Sequence, residues 1–202
     1  MSQITSLGKY HILENLAADW MSDIYRVKTV GIAGFEKVQV LRRVHAEHSR
    51  DPAFFRSFIE EAKVAFSLNH RNIVQVFEFG KTGEDLFLAM EHITGINLAV
   101  ILDRARNAAR PVPTGLTCYL MGEVASGLEY AHAKTDHHGS GLGVVHCLLT
   151  PSNVACSFEG SVKILDFGIS RTAWLMAPQG DQFPGDPRYL SPEQLQGQPP
   201  DP

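Results

Sequence analysis

The chain has 202 residues, of which 44% are hydrophobic and 20% are charged, a balance typical of a globular protein that buries a core. Its formal net charge of −4 gives no support for a nucleic-acid partner or an anionic membrane surface. Three cysteines without a CxxC pair argue against a disulfide framework. No apolar run approaches the roughly 18 residues of a membrane span, and the first residues lack a secretory pattern. We therefore expect a cytoplasmic location.

The first ninety residues predict a sheet with one helix. Apolar alternation and β-branched residues indicate five strands, over residues 10–16, 24–30, 37–44, 73–79 and 86–93. Between the third and fourth strands, Asp51 and Pro52 have the residue types that start a helix. Apolar residues then recur at helical spacing as far as Phe66.

After residue 95 the pattern becomes helical. It predicts helices over residues 96–108 and 115–134, and then a hairpin with strands over 153–157 and 161–165. Residues beyond about 165 are rich in Gly and Pro and are predicted to be mostly loop. A small sheet with one helix, followed by a helical part, predicts an α+β fold with two lobes.

Four motifs in order make the chain resemble a known family. Asp166-Phe167-Gly168 follows a predicted strand, and His146 stands seven positions before Asn153, as in the catalytic-loop pattern H-R-D-x-x-x-x-N. Ser191-Pro192-Glu193 follows where A-P-E is expected, and Glu61 lies within the predicted helix. The chain resembles bacterial eukaryotic-like (Hanks-type) Ser/Thr protein kinases, and its implied fold is the two-lobed kinase-like fold.

The resemblance also implies a division of the chain. Residues 1–8 would be a tail, 9–93 the β-rich N-lobe with its helix, and 94–202 a partial helical C-lobe that ends after the activation segment. On this interpretation the chain is C-terminally truncated or a fragment. The face formed by Leu120, Val124 and Leu128 is then expected to lack part of its cover, which favours poor solubility or a protein partner.

Kinases hold the triphosphate with a Gly-rich loop, and residues 16–25 align with that loop. Ala17, Asp19 and Trp20 occupy its three glycine positions. Glycine allows backbone N–H groups to approach phosphate closely, and these residues do not. A β-hairpin with a polar tip is therefore favoured over a phosphate-binding loop.

The resemblance implies a set of nucleotide-binding candidates, namely Arg42, Glu61, Glu91 and Ile93. Arg42 stands where the family has the lysine of its third strand, and it keeps the charge that could pair with Glu61. A planar guanidinium does not replace an ammonium conservatively at a fitted site. A structural Arg42–Glu61 salt bridge is favoured over a nucleotide contact.

The catalytic loop differs most from the family pattern. Leu148 stands at the position of the catalytic aspartate, so no catalytic residue is intact, and Asp186 replaces the threonine of the family's G-T-P-x-Y. Cys147 replaces an arginine and is interpreted as a structural cysteine, and His146 as a core histidine. The family's two magnesium ligands survive as Asn153 and Asp166. ATP with Mg²⁺ is therefore the implied cofactor, bound weakly or not at all.

These observations leave three hypotheses open. The favoured one is a catalytically impaired pseudokinase, acting as a regulatory or binding module towards a protein partner such as an active kinase. The second is a weak or atypical ATP-dependent Ser/Thr kinase that uses Asp181 or Asp186 as a displaced acid. The third is a non-functional remnant. His132, His137 and His138 are interpreted as solvated residues and not as a metal site.

Overall fold

The computed structural model describes residues 5–176, 186–198 and 200–201. The chain divides into two compact units, one formed by residues 1–66 and 75–92, the other by residues 67–74 and 93–202. Within the described part of the chain, no helix combines the length and the apolar character needed to cross a bilayer. Asp181 and Gly185 lie outside the described residues.

The first unit is built on a six-stranded antiparallel sheet with the strand order β1-β2-β3-β4-β6-β5. Its strands are β1 (Ser6–Leu7), β2 (Tyr10–Ala18), β3 (Ser22–Val30), β4 (Glu36–Val44), β5 (Val76–Thr82) and β6 (Asp85–Glu91). A short helix α1 (Ala46–Ser49) and the longer α2 (Pro52–Ser67) lie between β4 and β5 in the sequence. All five predicted strands are present, although β5 starts three residues later than predicted.

Local chemistry explains the start of α2 and the packing of the sheet. The Asp51 carboxylate accepts a hydrogen bond from Ala53 N–H at 2.8 Å, which supports the predicted helix start. On the sheet, Val27 and Leu41 are fully buried, and the Tyr10 and Phe87 rings meet edge to face with centroids 5.6 Å apart. The alternation visible in the sequence therefore does mark the buried face.

The second unit is mainly helical, with a small sheet in the order β7-β8-β9. Its elements are β7 (Gly95–Asn97), α3 (Leu98–Asn107), α4 (Thr114–His132), β8 (Val154–Ser157), β9 (Val162–Ile164), α5 (Ile169–Met176) and α6 (Pro192–Leu195). The helix predicted from residue 96 begins at Leu98, because the Asn97 side chain caps it by accepting from Val100 N–H at 3.0 Å.

The expectation that the chain is mostly loop after residue 165 is wrong for one stretch. α5 begins directly after Gly168, whose φ of +83° suits glycine. The Ser170 hydroxyl and backbone N–H both donate to the Asp166 carbonyl, at 3.0 and 3.1 Å. These bonds anchor the first turn of a helix that the Gly- and Pro-rich composition obscured.

A buried asparagine joins three segments of the second unit. Asn72 is 1% exposed, and its amide donates to the Glu123 carboxylate at 2.7 Å and to the Val162 carbonyl at 2.9 Å. The Asn72 carbonyl accepts from Ile164 N–H at 2.8 Å. A buried amide needs such partners because an unpaired one costs about 1–3 kcal/mol. Asn72 therefore fixes α4 and β9 to the segment before β5.

Two glycines of α4 give a matched test of this packing. A Cβ on Gly127 would lie 2.9 Å from Ile164 Cδ1 and 3.2 Å from the Asn72 carbonyl, whereas a Cβ on Gly122 would meet nothing within 4 Å. We expect Gly127→Ala to destabilise the chain by about 1–2 kcal/mol through overpacking. Gly122→Ala should stabilise it by up to about 1 kcal/mol. Urea unfolding of both variants measures the difference, and equal effects would contradict this packing.

The expected gap in the cover of α4 is only partly found. Leu120 and Val124 are 5% and 6% exposed, so the expectation is wrong for these two residues. α4 packs against β9 within the second unit. The large apolar side chains that α4 does expose are Leu116, Tyr119 and Met121.

Candidate functional site

The tip of the β2–β3 hairpin is organised around the Asp19 carboxylate. One oxygen, Oδ1, accepts from the backbone N–H groups of Met21 at 3.0 Å and Ser22 at 2.7 Å, and from the Ser22 hydroxyl at 2.9 Å. The chain therefore forms the hairpin with a polar tip. In the family, glycines at this tip leave backbone N–H groups free to bind phosphate. In this chain, the Asp19 carboxylate accepts from backbone N–H groups there instead.

Arg42 is the cationic partner of this carboxylate. Its side chain is 4% exposed, and Nη1 lies 2.6 Å from Asp19 Oδ2 and donates to the Ser22 hydroxyl at 2.7 Å. Partial burial favours the neutral acid, but it is outweighed by the Arg42 charge and by hydrogen bonds from Ser22, Met21 and Arg42. The pKa of Asp19 is therefore lowered. Asp19 and Arg42 form a charge-compensated pair within the first unit.

The other nucleotide-binding candidates lie at separate points. Glu61 is 9% exposed on α2, and its predicted pairing with Arg42 stays a prediction. Glu91 ends β6, where its backbone N–H donates to the Gln75 carbonyl at 2.9 Å and its carboxylate accepts from Gln75 N–H at 3.3 Å. Ile93 is the first residue after β6 that belongs to the second unit. Their nucleotide role also stays a prediction.

In the second unit, His146 fixes the catalytic-loop backbone. It is 2% exposed, its Nε2 lies 2.8 Å from the Leu165 carbonyl, and its Nδ1 accepts from Leu148 N–H at 3.3 Å. Its ring meets Phe167 edge to face at 4.8 Å. Burial lowers the pKa of His146, which favours the neutral imidazole. Both ring nitrogens are engaged with backbone, so His146 is a core histidine, as the sequence indicated.

Leu148, which the family pattern aligns with the catalytic aspartate, lies on this loop. Its side chain is half-buried, and its backbone is tied to His146 as described above. A hydrocarbon side chain can neither accept a proton nor orient a hydroxyl group. No residue from 146 to 153 carries a carboxylate, so the loop supplies no replacement acid of its own.

Asn153 and Asp166 are brought together as the family resemblance implied. The Asn153 amide nitrogen lies 3.1 Å from Asp166 Oδ2, and the amide oxygen accepts from the Thr150 hydroxyl at 2.8 Å. A carboxylate beside an amide is an oxygen donor set that suits Mg²⁺, with water and phosphate filling the remaining positions. To bind a cation together with Asp166, Asn153 would present its amide oxygen, whose two lone pairs allow it to keep the Thr150 hydrogen bond as well.

These two residues therefore fit a magnesium ion. In the family, the ion bridges ATP phosphates and neutralises charge that develops on them. Here Asp166 would supply the charged ligand and Asn153 the neutral one. The Thr150 hydroxyl donates to the Asn153 oxygen, a contact for which the sequence pattern gives no signal because it leaves this position unspecified.

Asp186 is held by its own neighbour. The Arg188 guanidinium donates to both Asp186 carboxylate oxygens, with Nη2 2.5 Å from Oδ2, and the Arg188 backbone N–H donates to Oδ1 at 3.0 Å. Hydrogen bonds from Arg188 lower the pKa of Asp186 to about 2. A carboxylate with so low a pKa is a poor general base near neutral pH.

Gln194 ties the Ser-Pro-Glu segment to the catalytic loop. It is 4% exposed, its amide nitrogen donates to the Cys147 carbonyl at 2.6 Å, and its amide oxygen accepts from Ser191 N–H at 3.1 Å. Cys147 is buried and has a φ of +71°, which is uncommon outside glycine. Gln194 and Cys147 are 47 positions apart, so sequence inspection gave no signal for this contact.

We expect Gln194→Ala to destabilise the second unit, because it leaves the buried Cys147 carbonyl without the Gln194 donor. A lost partner of this kind costs about 1–3 kcal/mol. Gln196→Ala is the matched control, since Gln196 is exposed two positions away, and it should stay within about 0.5 kcal/mol of the wild type. Thermal unfolding measures both, and equal midpoints for the two variants would show that the contact is unimportant.

The chain matches the family model "Protein kinase domain" over residues 22–202. It is 33% identical over 191 residues to the tyrosine-protein kinase MasK of Myxococcus xanthus, covering 94% of this chain and 30% of that protein. It is 28% identical over 195 residues to the serine/threonine-protein kinase PknB of Mycobacterium leprae, covering 94% of this chain and 29% of PknB. The chain thus spans less than a third of these curated relatives.

Solved structures agree with this assignment. The crystal structure of the PknI kinase domain of Mycobacterium tuberculosis superposes with a TM-score of 0.72 at 25% identity. The match covers 99% of this chain and 71% of the PknI chain. The architecture is therefore the protein kinase fold, with a β-sheet N-lobe and a helical C-lobe. The chain belongs to the protein kinase domain family.

Proposed function

We propose that this protein kinase domain is a pseudokinase, impaired in phosphate transfer and acting as a regulatory or binding module towards another protein. An active kinase is one candidate partner. The observation that carries the proposal is Leu148 on a catalytic loop that His146 otherwise holds in order. The loop keeps its scaffold and lacks the group that would take a substrate proton.

Two further pairs support impaired transfer. The Asp19–Arg42 pair places a compensated charge at the tip of the hairpin that aligns with the phosphate loop. The Arg188 guanidinium engages both carboxylate oxygens of Asp186, the described one of the two acids considered as a displaced base. Cys118, Cys147 and Cys156 form no disulfide with one another, which supports a cytoplasmic location.

The alternative function is a weak or atypical ATP-dependent protein kinase. Asn153 and Asp166 support it, because their donor set fits Mg²⁺. The names of the relatives support it as well, since they are called serine/threonine- and tyrosine-protein kinases. This alternative includes serine, threonine and tyrosine hydroxyl groups as phosphate acceptors.

Transfer of labelled γ-phosphate from ATP tests the proposal. The wild-type chain and Asp166→Ala are each incubated with Mg²⁺ or Mn²⁺, at high protein concentration and with a generic protein substrate. We expect equal incorporation, at background level, by both proteins. Reproducible incorporation that Asp166→Ala abolishes would overturn the proposal in favour of the alternative.

Nucleotide binding gives a separate prediction. With about 1 mM ATP and excess Mg²⁺ we expect no rise in the unfolding midpoint, because Asp19 already accepts from Met21 and Ser22 N–H and already pairs with the Arg42 charge. A ligand present at 100 times its Kd would stabilise the chain by about 2.7 kcal/mol. A thermal-shift titration, with Mg²⁺ alone as control, would reveal such binding, and a clear rise specific to ATP contradicts the prediction.

A further inference from the structure

We propose that His45, Glu47 and His48 form a binding site for one divalent transition-metal ion of the zinc class. In the described part of the chain they are the one group of three His, Cys, Asp or Glu side chains close enough to share an ion. One candidate ligand atom from each lies within 4.8 Å of the other two. The site belongs wholly to the first unit, and none of its three ligands is among the residues assigned to nucleotide binding or catalysis.

The donor set has the chemistry that zinc takes in proteins. Two imidazoles and one carboxylate provide three ligands, and a fourth position stays open to water. Bonds of about 2.0–2.2 Å around a tetrahedral ion place the ligand atoms about 3.3–3.6 Å apart. The present spacing therefore needs to close by at most about 1.5 Å. The Glu47 carboxylate already has this tetrahedral spacing to His48 Nε2, at 3.4 Å, and its side chain, 75% exposed, can adjust towards His45.

The sequence places the three ligands at a corner of the backbone. His45 is the last residue before α1, and Glu47 and His48 lie within this short helix. The Glu47 carboxylate is 3.4 Å from His48 Nε2. The two imidazole rings are stacked with centroids 6.4 Å apart. Both histidines therefore lie near one point, with the exposed Glu47 carboxylate beside them.

A second carboxylate supports the first histidine. Asp23 Oδ1 lies 3.5 Å from His45 Nε2, and both side chains are partly buried. Metal-binding histidines in proteins almost always have such an outer partner, which orients the ring and raises its basicity. Asp23 is therefore a candidate outer partner of His45.

Aromatic packing accounts for part of this arrangement. His48 stacks on Phe54 with centroids 5.3 Å apart and meets Trp20 edge to face at 4.9 Å. These contacts explain why position 48 carries a ring, but they explain neither the adjacent Glu47 carboxylate nor the His45–Asp23 pair. The packing instead holds His48 in place as a ligand.

The site is joined to the hairpin tip that holds Asp19. His45 N–H donates to the Met21 carbonyl at 2.8 Å. His48 Nε2 lies 3.3 Å from the Trp20 carbonyl, a contact that this nitrogen gives up if it binds the ion, because a metal-bound imidazole nitrogen has no proton to donate. An ion on the three ligands would fix α1 against this tip. The expected consequence is a chain whose hairpin tip is more ordered when the metal is bound.

The test is a zinc titration of the untagged chain against a chromophoric chelator, in the absence of nucleotide. We expect one Zn²⁺ per chain, with at least about tenfold weaker binding in Glu47→Gln and in His48→Gln. Asp23→Asn should weaken binding by about 10–100-fold, as outer-shell changes do. Since Glu47 is exposed, its variant tests the site without disturbing the core.

Two controls separate this site from other zinc-binding groups. His11 is exposed on β2 and Cys118 is exposed on α4, and His11→Gln and Cys118→Ser should both bind zinc like the wild type. Absence of saturable one-to-one binding overturns the proposal. Binding that survives both Glu47→Gln and His48→Gln, or that is lost in either control, also overturns it, because the ion would then lie elsewhere.

Discussion

Phosphate transfer by this chain is expected to be slower than transfer by the catalytic domain of a relative such as PknB by at least about 10²–10⁴-fold. That factor is the usual contribution of a positioned general base, and Leu148 removes it. The loss should be larger in practice, because Asp19 and Arg42 also alter the hairpin that aligns with the phosphate loop. Single-turnover transfer of labelled phosphate, with both proteins under the same conditions, measures the ratio.

A displaced acid would show itself in the same assay. If Asp186 acted as the base, Asp186→Asn would abolish the residual transfer. Raising the pH would not increase the rate of transfer by the wild-type chain, because the pKa of Asp186 is already about 2 and the carboxylate is ionised throughout. We expect Asp186→Asn to have no effect. A rate within tenfold of the reference enzyme would contradict the assignment of Leu148 as the decisive loss.

The second large effect is expected in stability, on replacing Asp19 by asparagine. The asparagine side chain would keep an oxygen to accept from the hairpin N–H groups, so the change isolates the charge opposite Arg42. Removing one partner of a buried ion pair costs about 3–5 kcal/mol. Asp19 itself is 36% exposed, and solvent screening reduces the expected loss to about 1–3 kcal/mol. The unfolding midpoint should fall by about 3–10 °C.

The same variant predicts a pH dependence. The pKa of Asp19 is lower in the folded chain than in the unfolded chain, so the stability it contributes is present above about pH 4. That contribution is lost as the pH falls through the folded-state pKa. The gap between wild type and Asp19→Asn should therefore be full at pH 7 and should narrow below pH 4.

Glu36→Gln is the control for the Asp19 variant. Glu36 pairs with Lys28 at 2.6 Å, but both side chains are considerably exposed. Exposed pairs contribute about 0–1 kcal/mol, so this variant should unfold close to the wild type. If Asp19→Asn and Glu36→Gln have equal small effects at pH 7, the Asp19–Arg42 pair contributes no more than an ordinary surface contact.

Much of the fold was predictable because its elements are local. The strands of the first unit, α2 and α4 follow from apolar spacing and from start signals such as Asp51. The prediction failed at α5, where the first turn depends on Ser170 bonding to the Asp166 carbonyl and on the positive φ of Gly168. Gly and Pro content averaged over many residues concealed that short helix.

The candidate site was predictable only where a motif specifies it. Motif spacing brought Asn153 and Asp166 together correctly, and it located Leu148 and His146. An aspartate whose carboxylate accepts from the backbone N–H two residues on is a recognisable turn signal at Asp19. Its pairing with Arg42, 23 positions away, has no local signal and was missed. The Gln194–Cys147 bond has no such signal, since it depends on tertiary structure alone.

The buried side chain of Asn72 has a consequence for synthesis on the ribosome. Its partners Glu123 and Val162 follow it by 51 and 90 positions in the chain. At a translation rate of about 5–20 residues per second, Asn72 emerges about 5–18 s before Val162. The core of the second unit therefore cannot be completed until Val162 has been synthesised. The sheet of the first unit has time to form before then.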